Sequence, residues 1–248
     1  MENNELLRRA EDLRARCEKS GDVTATGFLS PAERCAVECW AKHIPDCAVR
    51  FSGGGGDCER TAAFFLPYYM DGEDFDPAER IRAIKLTAHF GEPGHRDYMG
   101  ALLGMGIGRE WLGDIAVHGD TAYIFCLPSV EKLLLGIDKV GRFSVSAESV
   151  PLASVPAAEK QTSSVSFSVM SLRLDAVTAG MFKLSRTESV RQINAGNLSL
   201  NYRECVKTDA TVREGDVISV RGLGKGTITG TGGVSRKGRL FVYADICI

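Results

Sequence analysis

Apolar residues recur at three-and-four spacing near the start of the chain. Leu6, Leu7, Ala10, Leu13 and Cys17 share one face if residues 4–19 are helical, and Gly21 supplies a stop. Ser30-Pro31-Ala32-Glu33 is a second start signal. Ser30 can cap the helix, Pro31 suits its first position, and Glu33 can reach back to close a capping box. This helix is expected to run towards His43 and end before Pro45. Strands are predicted over 48–51 and 62–66, on either side of the glycine run 53–56. Residues 67–77, rich in acids and bounded by prolines, read as a linker.

The next stretch alternates more regularly. Residues 81–90 predict a strand and 96–105 a helix. Two strands over 114–118 and 121–127 flank Gly119-Asp120, a good hairpin turn. Residues 129–135 predict a helix with Ser129 as its cap, and 142–150 a closing strand. The order βαββαβ is that of the ferredoxin-like plait, which RNA-recognition motifs also use. Residues 151–164, rich in Ser, Ala and Pro, predict a second linker. A helix over 172–182 follows. Ser185-Arg186-Thr187-Glu188 then starts another, which Gly196 ends. On it Val190 and Ile193 can face a core, while Arg186, Arg191 and Gln192 lie off that line. Beyond come a strand at 198–200, turns at Asn201-Tyr202 and Gly215-Asp216, a strand at 217–220, and a glycine-rich hairpin region over 222–238. The expected fold is α+β in three parts. These are a small N-terminal α/β domain over 1–75, a ferredoxin/RRM-like plait over 76–155, and a third domain over 165–248.

Composition narrows the class. The chain has 248 residues, 44% hydrophobic and 25% charged, with a net charge of −2; these are values of ordinary globular protein. No apolar run approaches the roughly 18–20 residues that span a bilayer, and the charged N-terminus lacks the apolar core of a signal peptide. A cytoplasmic location is expected, with no membrane partner. The eight cysteines are scattered, often within apolar runs, which predicts free, mostly buried thiols in a reducing compartment. Charge is unevenly divided. From Val165 onward twelve Lys+Arg face seven Asp+Glu, or +5, so the part before carries 18 basic against 25 acidic residues, or −7. A polarised chain suggests that the basic part meets a polyanion.

The basic part also resembles a known module. Arg173-Leu174-Asp175, Ser185-Arg186, Arg191-Gln192-Ile193, Gly196, Asn201 and Gly215-Asp216 occur in the order found in the RNA-binding domain named for small-subunit ribosomal protein S-four. That resemblance implies a helix pair and a strand-turn that meet structured RNA. The implied RNA-binding residues are Arg173, Lys183, Ser185, Arg186, Thr187, Arg191, Gln192, Asn194, Asn197, Asn201 and Arg203. Arginine forks suit phosphate, and hydroxyls and amides near a helix start add donors. Tyr202 departs from the pattern, since most such domains have Gly after the Asn. The segment from His95 to Ile107, then Arg109-Glu110 and Gly113-Asp114-Ile115, is similar to the YlmH proteins, as is the loop over 53–60. This implies a ribosome-associated factor whose partners are ribosomal RNA, or tRNA on the ribosome, and the large ribosomal subunit, including subunits that retain peptidyl-tRNA after stalling.

Several tempting motifs do not extend to chemistry. His95-Arg96-Asp97 imitates a kinase catalytic loop, but Leu102 stands where the required Asn would be. The run 53–56 lacks the GK[ST] ending of a phosphate loop, and Gly222-Leu223-Gly224-Lys225-Gly226 lacks dinucleotide spacing. Cys35, Cys39, His43 and Cys47 fall four apart, unlike the shorter paired spacings of zinc sites. Tyr123 and Phe125 could stack bases from an open sheet, or be core. No catalytic residue, metal, cofactor or small-molecule substrate is expected. Two alternatives remain: an RNA-modifying enzyme using the module as an accessory, and a protein–protein adaptor linked to cell division. The tRNA-charging version of the enzyme lacks support, because neither an HIGH nor a KMSKS motif is present.

Overall fold

The computed structural model describes residues 2–56, 58–157, 162–235 and 238–247. The chain divides into two compact units, Met1–Ala158 and Glu159–Ile248. The first unit opens with α1 (Glu2–Ser20), β1 (Thr24–Leu29), α2 (Pro31–Ala41), β2 (Val49–Ser52) and β3 (Thr61–Phe65). The capping box forms as predicted: the Ser30 N–H donates to Glu33 Oε2 at 2.7 Å, and the Glu33 N–H donates to Ser30 Oγ at 3.4 Å. Strand β1 went unpredicted. Gly27 interrupts its apolar pattern, and its pairing with β3 is irregular between Ala25 and Phe28. The antiparallel order is β1-β3-β2. Every residue of β3 is buried. Ala63 and Phe65 pack with Ala10, Cys17 and Val37 of the two helices, whereas Ala62 and Phe64 join a separate cluster.

The unit continues with β4 (Arg82–Ala88), α3 (His95–Gly104), β5 (Leu112–His118), β6 (Thr121–Cys126), α4 (Pro128–Leu135), β7 (Lys139–Val140) and β8 (Phe143–Val150). Its antiparallel sheet has the order β5-β6-β4-β8-β7. Ile84, Leu86 and Ile124 on one face pack with Tyr98 and Leu102 of α3 and Leu134 of α4. Ser129 does not cap α4. Leu127 holds the cap position and Pro128 opens the helix, because proline's fixed φ and missing N–H suit the first helical position. Asp97 accepts from the Gly94 N–H at 2.8 Å, so it closes the start of α3.

The other face of this sheet is partly covered by the first sheet. Ala83 and Phe125 pack with Phe28, Ala62 and Phe64, which makes Phe125 core rather than a stacking platform. Tyr123 stays half-buried beside His118, ring centroids 5.9 Å apart. Glycines permit the close approach. A Cβ on Gly113 would lie 2.7 Å from Phe28 Cε1 and 2.9 Å from Phe125 Cβ, and one on Gly54 would lie 2.6 Å from Phe125 Cδ1. The run at 53–56 therefore gives way to an aromatic ring. Polar groups stitch the same seam. Arg60 donates to the carbonyls of Phe28, Arg109 and Leu112, while the Asp114 carboxylate accepts from the Glu59 and Arg60 N–H groups. Burial raises the Asp114 carboxyl despite those donors.

The second unit holds β9 (Thr162–Val169), α5 (Leu174–Met181), α6 (Arg186–Asn194), β10 (Leu198–Leu200), β11 (Arg203–Glu204), β12 (Val217–Val220), β13 (Gly224–Val234) and β14 (Leu240–Cys247). Its antiparallel sheet has the order β11-β10-β12-β13-β14-β9. Val169, Ile218, Val220, Val242 and Ala244 of the sheet pack with Leu174, Val177, Met181 and Ile193 of the helices. Strand β9 begins within the stretch predicted as linker. The fold class is α+β.

The seam in the first unit is tight enough to test. Gly113→Val is expected to lower the unfolding free energy by about 1–3 kcal/mol through overpacking, seen as a lower urea midpoint at unchanged m-value. A midpoint equal to that of the parent would show that the two sheets do not need this approach.

Candidate nucleic-acid interface

The basic residues singled out in the second unit gather around a helix pair whose ends the sequence specifies locally. The Ser185 side chain caps α6 by accepting from the Glu188 N–H at 3.1 Å. The capping box is only half made, because the Glu188 carboxylate turns to Gln192 and Arg191 instead. Helix α5 ends on Lys183 at φ +54, with the Leu184 N–H donating to the Ala179 carbonyl at 2.9 Å. That is a left-handed helix ending usually filled by glycine. A lysine there sets a cation at the negative end of the α5 dipole.

Asp175 organises the pair. Its side chain is 4% exposed, and it accepts from Arg186 Nη2 at 2.7 Å and from Arg173 Nε and Nη2, each at 3.2 Å. Burial alone would raise this carboxyl, yet the hydrogen bonds and charges of Arg173 and Arg186 hold it below the ordinary carboxylate range. The two arginine side chains remain 44% and 57% exposed. Each is therefore anchored on one side and open to solvent on the other. The Ser189 hydroxyl donates to the Asp175 carbonyl at 2.9 Å, which ties α6 to α5 at the same point.

Other predicted residues fall into smaller groups. Arg191 and Gln192 both donate to Glu188, and the Asn197 amide donates to Gln192 Oε1 at 2.9 Å. The amides are thus engaged within the protein and not simply offered to solvent. Hydrogen bonding from Gln192, then from Arg191, lowers the Glu188 carboxyl. Thr187 and Asn194 are exposed on α6, and Arg203 is exposed on β11. Asn201 serves a different junction. Its amide donates to Asp216 Oδ1 at 2.8 Å, and its own oxygen accepts from the Val217 N–H at 2.9 Å, joining the β10–β11 turn to the start of β12. Lys225 and Arg239 flank the glycine-rich hairpin, whereas Arg236 and Lys237 lie outside the described residues. Nothing in the spacing of Asp175 and Arg186 signalled that the two would pair.

Among the described residues no helix is long and apolar enough to cross a membrane, and no three His, Cys, Asp or Glu side chains group as metal ligands. Residues 72–154, which run from before β4 to just past β8, match the family model described as "Putative RNA-binding domain in YlmH". A Bacillus subtilis (strain 168) protein named "Ribosome-associated protein quality control protein P2" is 31% identical over 216 residues, covering 86% of this chain and 82% of that protein. The chain belongs to the YlmH family. A solved structure named "Cell division protein ylmH from Streptococcus pneumoniae" matches with a TM-score of 0.53 at 24% identity, over 62% of this chain and 93% of that one. It carries information on the fold alone.

Within this YlmH-family chain, the β10–β11 turn explains why glycine would be favoured at position 202. Asn201 and Tyr202 have φ of +50 and +63, as a two-residue hairpin of the primed type demands. Tyrosine bears a Cβ penalty there that glycine does not. Tyr202→Gly should stabilise the protein by roughly 0.5–1 kcal/mol; a chemical-unfolding midpoint that fails to rise would remove strain from this account. A second expectation concerns acid. The depressed Asp175 carboxyl adds stability above its unfolded value of about 3.9, and this is lost as pH falls through the folded value. Asp175→Asn is expected to cost about 1–3 kcal/mol at pH 7. Its deficit relative to the parent should shrink as unfolding is measured at successively lower pH below about 4. A deficit that stays constant with pH would contradict the ion-pair assignment.

Proposed function

We propose that this YlmH-family protein binds RNA without catalysing a reaction on it, and that its target is ribosomal RNA on the large ribosomal subunit, in the handling of stalled ribosomes. The observation that carries the reading is Asp175 holding two half-exposed arginines beside the start of α6. A phosphate meeting that edge would find oriented N–H donors and the positive end of a helix dipole, with little ordering left to do. The descriptions of the matched family and of the Bacillus subtilis relative, which name RNA binding and ribosome association, point the same way.

The finer architecture belongs to the same proposal. The strand order β5-β6-β4-β8 with α3 and α4 on one face is what a ferredoxin/RRM-like plait requires. The α5–α6 pair followed by the Asn201 turn supports an S-four-type module. In it Arg173, Lys183, Ser185, Arg186, Thr187 and Arg191 contact the backbone of structured RNA. Gln192, Asn194, Asn197, Asn201 and Arg203 extend or brace that surface. Localisation with ribosomes in the cytoplasm follows from the same reading.

Salt tests it. Log affinity for large subunits, or for transcripts of structured ribosomal RNA, should fall linearly with log salt at roughly −0.7 to −0.9 per phosphate neutralised. Arg186→Ala combined with Arg191→Ala should weaken binding and flatten the slope by about one to two phosphates' worth. Binding indifferent to salt and to both substitutions would defeat the proposal in favour of a protein–protein adaptor.

A further inference from the structure

The six-stranded sheet of the second unit has a second face, away from the helices, and it carries an unexpected pair of rings. On β14, Val242 and Ala244 are buried towards α5, so Phe241 and Tyr243 point the other way and are 39% and 46% exposed. Their cross-strand neighbours are small. Phe241 pairs with Ser168 and Tyr243 with Ser166 on β9, and Tyr243 faces Gly230 on β13. Gly232 lies under the Tyr243 ring, since a Cβ there would come within 3.0 Å of Tyr243 Cε2 and Oη. A floor of serine and glycine leaves both rings standing above the sheet.

Charge identifies the occupant. Among the described residues from Val217 to Ala244 the charged side chains are Arg221, Lys225 and Arg239, all of them cations. Arg239 reaches across to the Ser168 carbonyl and so lies beside Phe241's cross-strand partner. The nearest acid on this face, Asp245, accepts from the Ser164 hydroxyl at 2.7 Å. Exposed rings two residues apart on a strand, in a segment of one charge sign, are the chemistry of a single-stranded nucleic acid: bases stack on the rings and phosphates meet the cations. An apolar protein partner would not call for the cations, and an acidic one would not call for the rings.

We infer that the outer face of this sheet, through Phe241 and Tyr243, is a stacking platform for unpaired RNA bases, separate from the α5–α6 edge that meets structured RNA. The inference rests on the reading of the protein as RNA-binding and adds a second contact of different chemistry. The two rings bind successive bases with little sequence preference, and Arg239 steers the strand.

The test uses the full chain and two probes, a fluorescent oligouridylate and a transcript of structured ribosomal RNA. Irradiation of the complex with oligouridylate should give a uridine adduct on a peptide containing Phe241 or Tyr243. The F241T/Y243T variant, which keeps β-propensity, should bind oligouridylate more weakly by roughly 25-fold or more, at about fivefold or more per stacked base, with an unchanged far-ultraviolet spectrum. Its affinity for the structured transcript should stay within about twofold, a difference too small for a lost stacked base. Equal oligouridylate affinity in parent and variant, adducts confined to other peptides, or self-association of the parent that the substitutions abolish would each overturn the platform. Binding of the structured transcript with the expected salt dependence, alongside any of those results, would leave the helix-pair reading standing. Failure to bind either probe would end both.

Discussion

A β-sheet has two faces, and a layer of helices covers only one. What becomes of the other face governs most of this molecule. In the first unit the five-stranded sheet sets Ile84, Leu86 and Ile124 against α3 and α4, while Phe125 projects the opposite way. That ring cannot remain in water without cost, and the first sheet closes over it. The closure demands backbone at near contact, so Gly54 and Gly113 stand where any side chain would collide with Phe28 or Phe125. The polar seam follows from the same closure. Arg60 and Asp114 satisfy carbonyls and N–H groups that the approach would otherwise strand.

The second unit meets the same constraint differently. Its outer face needs little cover, because serine and glycine occupy most of the outward positions near β9 and β13. Phe241 and Tyr243 stand among them as exposed rings. On its inner side, a buried carboxylate does what apolar packing cannot. Taking Asp175 out of water costs several kcal/mol unless donors replace the solvent, and Arg173 and Arg186 supply them. In exchange, two flexible side chains with roughly 2 kcal/mol of rotamer entropy each are held in one orientation. The arrangement keeps one net positive charge at the helix edge and limits the entropy lost when an anion arrives.

How much of this the chain discloses depends on whether a local rule acts alone. Helices α2 and α6 were legible because Ser30 and Ser185 cap them by contacts within three residues. Strands β4 and β6 were legible from alternation over one covered face. Strand β9 was not. Val165, Phe167 and Val169 do alternate, but the serines between them belong to an outward face and give the segment a loop's composition. Strand β1 was hidden by Gly27, whose reason is the Glu110 backbone, 2.6 Å from where its Cβ would sit and far away in sequence. At the candidate interface the basic residues could be read from charge and order. Their pairing through Asp175 could not, since Arg173 and Arg186 are thirteen residues apart and meet only when α5 and α6 pack.

Backbone strain is concentrated in the second unit. Among the described residues Asp46, Lys183, Asn201 and Tyr202 carry positive φ without being glycine, and three of the four lie in the second unit, at its basic helix pair or the neighbouring turn. A chain selected for stability alone would place glycine at 183 and 202, where the left-handed conformation costs an L-residue about 1–2 kcal/mol. Instead a cation stands at the end of α5 and a ring at the tip of the β10–β11 turn. Neither belongs to the buried cluster of this unit, although Tyr202 is half-buried. Strained backbone of this kind clusters where a surface meets a partner, and the proposed RNA contact would give both residues a reason to stay.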